Sequence, residues 1–199
     1  MIVDLTQEAS NYEDAADPAL EGDQQTQRRN LALALPLLQQ AEAIVLLLLQ
    51  QNPLNDDWKA SLADVQVRLG SAEQDLQIPG DSAKLSATGL ATLKSLAAKH
   101  PDSALILDFE VAALLSVKPT ALRDPKLAIA SARQQALLTR RKQPGVLLFL
   151  AQAYHAAGQI EAARSTAGEG LALLPPVTAG APISRTRRLL EMETETAIR

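Results

Sequence analysis

The sequence predicts an all-α fold, and three observations support that prediction. Hydrophobic residues make up 47% of the 199 residues whereas aromatic residues make up only 3%, a balance typical of Ala- and Leu-rich helix packing. Runs of Val, Ile, Thr and aromatic residues, which would favour strands, are few. Apolar residues recur at three- and four-residue spacing between breaks that contain Pro or Gly. We therefore expect antiparallel helical hairpins.

The first two predicted helices lie on either side of Asn52-Pro53. A helical pattern covers residues 25–51, and Pro36 either kinks it or begins its stronger half. A second helix is predicted over residues 57–69, because a capping residue precedes it and a glycine follows it. The residues that mark these two ends are Asn55 or Asp56 and Gly70.

Three further helices are predicted over residues 82–99, 104–115 and 125–141. Capping residues and proline-containing turns mark their starts. These are Asp81 or Ser82, Pro101-Asp102-Ser103 and Asp124-Pro125. The stretches 71–83 and 117–123 between helices are predicted to be insertions.

Residues 145–175 have the most specific pattern in the chain. Leu147, Leu150, Ala151 and Tyr154 follow the spacing of one helix face. Gly158 then suits the left-handed conformation that ends many helices. A second stripe stops at a pair of prolines and consists of Ile160, Ala163, Ala167, Gly170, Leu171 and Leu174. Small residues are expected to let the two helices approach closely, namely Ala151, Ala163 and Gly170.

The segment 183–199 is expected to form a last helix, from Ser184 towards Ile198, that caps the array. A terminal unit of a repeat array needs one buried stripe and one polar side. The predicted stripe consists of Ile183, Leu189, Leu190 and Ala197, and the polar side of Arg185, Arg188, Glu191 and Glu195. Pro182 and Ser184 set its start. The alternative is a helix that docks across a binding groove and blocks it.

Residues 1–24 differ from the rest of the chain. They contain seven acidic residues, no basic residue and few apolar residues. This composition predicts a disordered lead-in whose deletion leaves stability unchanged. An acidic recognition tail and the end of a longer upstream region are the alternatives.

The pattern of residues 145–175 resembles a tetratricopeptide (TPR) helical hairpin. The repeat consensus is Trp-x2-Leu-Gly-x2-Tyr, then Ala-x3-Phe, then Pro. In this chain the corresponding positions hold Leu147, Leu150, Ala151, Tyr154, Ala163, Ala167 and Pro175. A helical hairpin of another all-α fold is the alternative. The resemblance implies that residues 25–182 form a short, irregular TPR-like solenoid, in which 144–176 is the unit closest to consensus.

Two further stretches resemble the C-terminal TPR regions of large bacterial signalling proteins, notably serine/threonine kinases of acidobacterial and planctomycete type. One runs from Gln51-Asn52-Pro53 through Trp58 and Leu62 to Leu69-Gly70, and the other from Leu122 to Ala128, with Ala132 after it. The glycine-rich loop, the His-Arg-Asp loop and the Asp-Phe-Gly motif of kinases are absent from the sequence. The resemblance therefore implies a partner-binding or regulatory region without catalysis.

No residue constellation in the sequence indicates an enzyme, a metal site or a cofactor. The chain has no cysteine, which excludes disulfides and thiolate ligands. Its two histidines, His100 and His155, are far apart in sequence, and Asp108 and Glu110 diverge on their helix. We expect no catalytic residue, no cofactor and no metal.

Composition also bounds the partners and the compartment. Basic clusters without interleaved aromatic residues disfavour nucleic acid. The longest uninterrupted apolar run, residues 43–49, is too short to span a bilayer, so we expect no membrane insertion. No signal peptide is visible. The cytoplasm is the expected compartment, and the periplasm is left open.

The expected function is that of a protein–protein interaction module that binds another protein or a peptide. In TPR hairpins the first helix of each repeat lines the concave surface. Transferred to this chain, the resemblance places six residues there: Leu107, Val111, Leu114, Leu148, Gln152 and His155. The Lys/Asn/Arg carboxylate clamp of chaperone-binding TPRs is not matched. The alternative is an architectural domain that spaces other domains or assembles as a homo-oligomer.

Overall fold

A computed structural model describes residues 5–9, Asn11, 24–177 and 184–195, and in this part of the chain the fold is all-α without strands, as predicted. The helices are labelled in chain order as α1 Gln24–Gln51, α2 Asp56–Leu76, α3 Ser82–Lys99, α4 Ala104–Ser116, α5 Pro125–Leu138, α6 Pro144–Ala156, α7 Ile160–Ala172 and α8 Arg185–Glu195. A 3-10 helix, Thr120–Leu122, lies between α4 and α5.

Contacts between Cα atoms divide the chain into two compact units. Unit 1 consists of Met1–Leu96 and Ser116–Arg123, and unit 2 consists of Ala97–Leu115 and Asp124–Arg199. The chain therefore passes from one unit to the other three times. The boundaries differ from the predicted division at residues 24 and 182, which followed composition rather than contacts.

In unit 1, α1 and α2 form a packed pair that is joined by a short turn. Asn55 begins α2 as predicted, because its Oδ1 accepts a hydrogen bond from the Trp58 N–H at 2.9 Å. The buried residues shared by the two helices are Ala34, Leu38, Ala41, Val65 and Leu69. Pro36 lies inside α1 and does not begin it.

The described part of the lead-in packs on this pair, which differs from the expectation of a disordered segment. Residues 5–9 are helical, Ala9 is 0% exposed, and Leu5 packs against the same apolar cluster. Arg68 donates a hydrogen bond to the Thr6 carbonyl at 3.1 Å. Leu5 and Ala9 supply the apolar part of this contact, although the segment is acidic overall. Most of the lead-in lies outside the described residues.

Helix α2 does not end at Gly70, which corrects the predicted end of this helix. The helix continues to Leu76 and ends in a left-handed Gln77, whose N–H and that of Ile78 bond the Gln74 and Glu73 carbonyls. Gly70 is instead a packing residue, because a Cβ there would collide with Ser82 O and Ser86 Oγ of α3. A glycine that serves a close helix contact looks in sequence like a glycine that ends a helix.

The two predicted insertions contact each other. Residues 71–76 are the last turns of α2, so the first insertion is largely helical. The Ser71 hydroxyl accepts a hydrogen bond from the Lys118 N–H at 3.0 Å, and Gln74 donates to the Lys118 carbonyl at 2.9 Å. Asp75 pairs with Lys118 Nζ at 3.2 Å. Residues 116–123 are thereby attached to the end of α2.

In unit 2, α5, α6, α7 and α8 pack in series, and α8 also contacts α6. Asp124 caps α5 as predicted, because its Oδ1 accepts from the Leu127 N–H at 3.0 Å. Helix α5 ends at Leu138, before the predicted Arg141, because Arg140 and Arg141 both have positive φ. Their N–H groups bond the Leu137 and Ala136 carbonyls and close the helix end.

The predicted hairpin of α6 and α7 is present with its expected turn. Gly158 has φ of 73°, and the N–H groups of Gly158 and Gln159 bond the His155 and Tyr154 carbonyls at 2.8 Å. This is the hydrogen-bond pattern of a glycine-terminated helix. The expected small contact residues Ala151 and Ala163 are buried.

Helix α1 is the one described helix that is long and apolar enough, by length and composition, to cross a bilayer. The prediction from the sequence considered only the longest uninterrupted apolar run, residues 43–49, and therefore did not identify α1 as a candidate span. A soluble protein's core helix can pass the same test, but only 22% of the most apolar window of α1 is buried.

Candidate functional site

Unit 2 contains a repeated pattern of burial. Residues 104–116 of α4 and 144–156 of α6 match position by position at a spacing of 40, with Asp108 and Leu148 as the one difference between these ranges. Residues 125–137 of α5 and 160–172 of α7 match closely at a spacing of 35. The pairs buried in both α5 and α7 are Ala128/Ala163, Ser131/Thr166, Ala132/Ala167 and Gln135/Gly170. Two helical hairpins therefore follow one packing register.

This register corrects most of the predicted concave surface. Leu107, Val111 and Leu114 are buried, because they are the α4 equivalents of the structural positions Leu147, Ala151 and Tyr154. Leu148 is buried as well. The prediction used one register for α6 and a different one for α4. Gln152 and His155 are the two predicted binding residues that retain partial exposure.

The open face of each first helix lies elsewhere. On α4 it contains Leu105, Phe109 and Ala112, and on α6 it contains Gly145, Phe149 and Gln152. Phe109 and Phe149 occupy equivalent positions, are both partly exposed, and are the two phenylalanines of the whole sequence. Sequence reasoning missed them, although their spacing of 40 residues was a readable signal.

The structural positions of the α6–α7 hairpin are filled as predicted. Leu147, Leu150, Ala151, Tyr154 and Ala163 are buried, Gly158 forms the turn, and Pro175 is exposed after α7. Arg133 of α5 donates a hydrogen bond from Nε to the Tyr154 hydroxyl at 2.8 Å, and its guanidinium lies 5.3 Å from the ring centroid. Tyr154 therefore joins α5 to α6 through a hydrogen bond and a cation–π contact.

A buried polar cluster joins α4 to α5. Ser131 donates a hydrogen bond to Glu110 at 2.6 Å. Gln135 donates to Asp108 at 2.8 Å and to the Ala104 carbonyl at 3.1 Å. Burial raises the pKa of Asp108 above 3.8, although the bond from Gln135 acts in the opposite direction. The hydrogen bonds of this cluster hold α4 and α5 together.

Helix α8 covers the exposed side of the α6–α7 hairpin. Ser184 caps it through a hydrogen bond from the Arg187 N–H to Oγ at 3.3 Å. Leu189 and Leu190 are buried as predicted, and a Cβ on Gly170 of α7 would meet Leu190 at 3.0 Å. His155 of α6 bonds Glu193 through Nδ1 at 2.7 Å. The predicted Pro182, Ile183 and Ala197, together with the predicted helix end at Ile198, lie outside the described residues.

Unit 1 has an open groove of about 640 Å³ along α3 that is lined mainly by small residues. Its two threonine hydroxyl groups are engaged within their own helix, since Thr88 donates to the Lys84 carbonyl and Thr92 to the Thr88 carbonyl. Lys59 at its edge pairs with Asp56 at 2.9 Å. The groove therefore lacks the convergent polar groups of a small-molecule site. Among the described residues, no group of His, Asp and Glu side chains could hold a metal ion.

Comparison with known proteins adds no relative from which a function could be transferred. No protein-family model, no curated protein and no solved structure matches this chain.

Proposed function

We propose that this chain is a protein–protein interaction module of TPR-like helical hairpins, without catalytic activity, and that the open face of α4 and α6 is its binding surface. The observation that carries the proposal is the placement of Phe109 and Phe149. A chain with 3% aromatic residues would be expected to bury its phenylalanines, yet both keep part of their surface exposed at equivalent positions.

The repeated register supports the TPR-like part of the proposal. Hairpins that share one pattern of burial stack with corresponding helices on the same side, which aligns their open faces. The α6–α7 hairpin has the repeat residues, the glycine turn and a following helix, α8, that contacts both of its helices. The resemblance to bacterial kinase tails favours a regulatory region of a signalling protein.

The chemistry of the open face indicates the class of partner. Aromatic side chains dominate the energetics of many protein interfaces, where they fill pockets or receive apolar side chains. Leu105 and Ala112 extend the apolar character of α4, whereas Gln152 supplies a hydrogen-bonding group on α6. The expected ligand is a protein segment with apolar anchors rather than an acidic C-terminal peptide.

A capture experiment with the full chain tests this proposal. Three forms of the chain would be immobilised: wild type, the double variant Phe109→Ala/Phe149→Ala and the control Leu137→Ala. The proteins that each form retains would be quantified by mass spectrometry. Leu137 is a 69% exposed apolar residue of α5, so its removal controls for general surface stickiness. We expect a partner that is retained by wild type and by Leu137→Ala and is reduced at least tenfold by the double variant.

The folded state of each variant would be checked by circular dichroism and thermal unfolding. A partner retained equally by the double variant would contradict the assignment of the surface. If no protein is retained by both wild type and Leu137→Ala, the proposed function would be contradicted.

A further inference from the structure

We infer that α1 is the interface of a homodimer in which two copies of the helix pack antiparallel. This inference concerns unit 1 and does not depend on the binding surface proposed for unit 2. It rests on two observations. One is an apolar stripe on α1 that is partly exposed, and the other is a pair of opposite charges, one at each end of the helix, that form no ion pair with a described residue.

Helix α1 has two apolar stripes. The buried stripe consists of Ala34, Leu38, Ala41 and Val45 and faces α2 and residues 5–9. The second stripe repeats at alternating spacings of four and three residues, which is the heptad pattern of helices that pack side by side, and consists of Leu33, Leu37, Gln40, Ile44, Leu47 and Gln51. Leu37 is partly buried and packs against the apolar cluster of unit 1, so the outer stripe borders the core. Leu33 is 43% exposed and Leu47 is 58% exposed, so these two leucines remain open among the described residues.

The composition of α1 favours a protein helix over a lipid bilayer as the partner of this stripe. Gln40 lies at the centre of the stripe, and Gln39 and Glu42 are its neighbours in the sequence. Polar and charged groups in the middle of a helix are unfavourable in hydrocarbon. In helix pairs, by contrast, a single polar residue among apolar core positions is common and selects register.

The charges at the two ends of α1 indicate that the partner helix is a second, antiparallel copy. Arg29 lies four residues before Leu33, on the side of the outer stripe, while Asp57 lies just beyond the C-terminal turn of α1; both are exposed. Neither side chain forms an ion pair with a described residue. The first turn of α1 has no acidic residue and its last turn has no basic residue, so its own side chains leave the helix dipole uncompensated.

An antiparallel two-fold pair buries the outer stripe and brings the opposite charges at the helix ends together. Leu37 of one copy then faces Leu47 of the other, Gln40 faces Ile44, and Leu33 faces Gln51, and each contact occurs twice by symmetry. Arg29 reaches the C-terminal carbonyl groups of the other α1 and approaches Asp57. A parallel pair would instead bring the two Arg29 side chains together.

The test is the mass of the full chain in solution, measured by sedimentation and by light scattering over a range of concentrations. Wild type is expected to be a dimer with a dissociation constant of about 1 µM or lower. Leu47→Lys is expected to weaken the dimer at least tenfold. Leu46→Lys is the matched control, because Leu46 is the adjacent residue, is 44% exposed and lies off the outer stripe.

A charge-reversal cycle tests the orientation with variants of exposed residues that do not affect the core. Arg29→Asp and Asp57→Arg are each expected to weaken the dimer several-fold at low salt, and the double variant to restore it. A monomeric wild type, or equal dimerisation of Leu47→Lys and Leu46→Lys, would overturn the inference. Flotation of wild type with phosphatidylcholine vesicles, lost in Leu47→Lys, would assign the stripe to a lipid surface and would also overturn it.

Discussion

At the scale of single residues, two glycines of unit 2 serve opposite backbone conformations. Gly158 has φ of 73°, in the left-handed region, and has open space where a Cβ would project. Gly168 lies in the middle of α7 with ordinary helical φ and also has open space. Substitution by alanine therefore measures, at both positions, the effect of backbone conformation on the free energy of unfolding.

Gly158→Ala is expected to destabilise the protein by about 1 kcal/mol, because an L-residue in the left-handed region is strained. Gly168→Ala is expected to stabilise it by about 0.5–1 kcal/mol, because alanine is the better residue inside a helix. Chemical denaturation of both variants measures the two free energies of unfolding. Changes of the same sign would contradict the assigned turn.

Asp108 is expected to make stability depend on pH. Its folded-state pKa is raised by burial, so between 3.8 and that raised value the folded protein binds the proton more tightly than the unfolded chain does. Ionisation of Asp108 therefore lowers the free energy of unfolding as pH rises through this window. At neutral pH the full penalty of the buried carboxylate is present.

Asp108→Asn is expected to raise the midpoint of thermal unfolding at about pH 7, because the amide keeps an acceptor for Gln135 and carries no charge. The gain should shrink towards pH 3.8, where the carboxyl group is protonated in the folded state. The control is Asp102→Asn, which removes the same charge from an exposed residue. An equal gain from Asp108→Asn at both pH values would argue against burial as the cause.

Residues whose role is local could be predicted from the sequence. Asn55, Asp124 and Gly158 each serve a helix end formed by their immediate neighbours. The predictions for Asp124 and Gly158 are confirmed, and Asn55 is one of the two caps predicted for α2. Gly70 was not, because its role depends on Ser82 and Ser86 of another helix. The open face of α4 and α6 was not predicted for a related reason, since the register of α4 becomes clear only when its burial is compared with that of α6.

At the scale of helices, α2 and α5 show why helix ends are harder to predict than helix starts. Both are followed by a non-glycine residue with positive φ, Gln77 at 59° directly after α2 and Arg140 at 51° two residues after α5. Hydrogen bonds from the following N–H groups stabilise these ends, whereas glycine is the residue that the sequence signal relies on. The starts were predicted within about one residue, and capping side chains mark those of α2, α5 and α8.

Helix α8 is expected to stabilise the α6–α7 hairpin. Leu190→Ala should reduce the free energy of unfolding by about 2–5 kcal/mol, because Leu190 is fully buried against Gly170. The control is Leu173→Ala, at the exposed end of α7, with an expected change below about 0.5 kcal/mol. Chemical denaturation measures both.

Truncation after Ala181 extends this test to the whole helix. A capping helix predicts aggregation or a clear loss of stability. The alternative is that α8 docks across a binding groove and blocks it. A truncated chain that is soluble, equally stable and gains binding of a partner would support this alternative.

At the scale of the whole molecule, the start of the chain is expected to contribute to stability, which reverses the expectation from composition. Ala9 is fully buried whereas Gln7 is exposed. Ala9→Asp should lower the midpoint of thermal unfolding by several degrees, because it buries a charge. Gln7→Asp adds the same charge at the surface and should change the midpoint little. Equal midpoints for the two variants would favour a lead-in that does not pack.

The attachment of Lys118 to the end of α2 has a consequence for synthesis of the chain. Residues 97–115 of unit 2 leave the ribosome before residues 116–123, which complete unit 1. Domains ordinarily fold in the order of their synthesis, but here the first unit must wait for a segment that follows part of the second. Ser71, Gln74 and Asp75 find their partner only after α4 has emerged, so unit 1 is completed after the first helix of unit 2 has been synthesised.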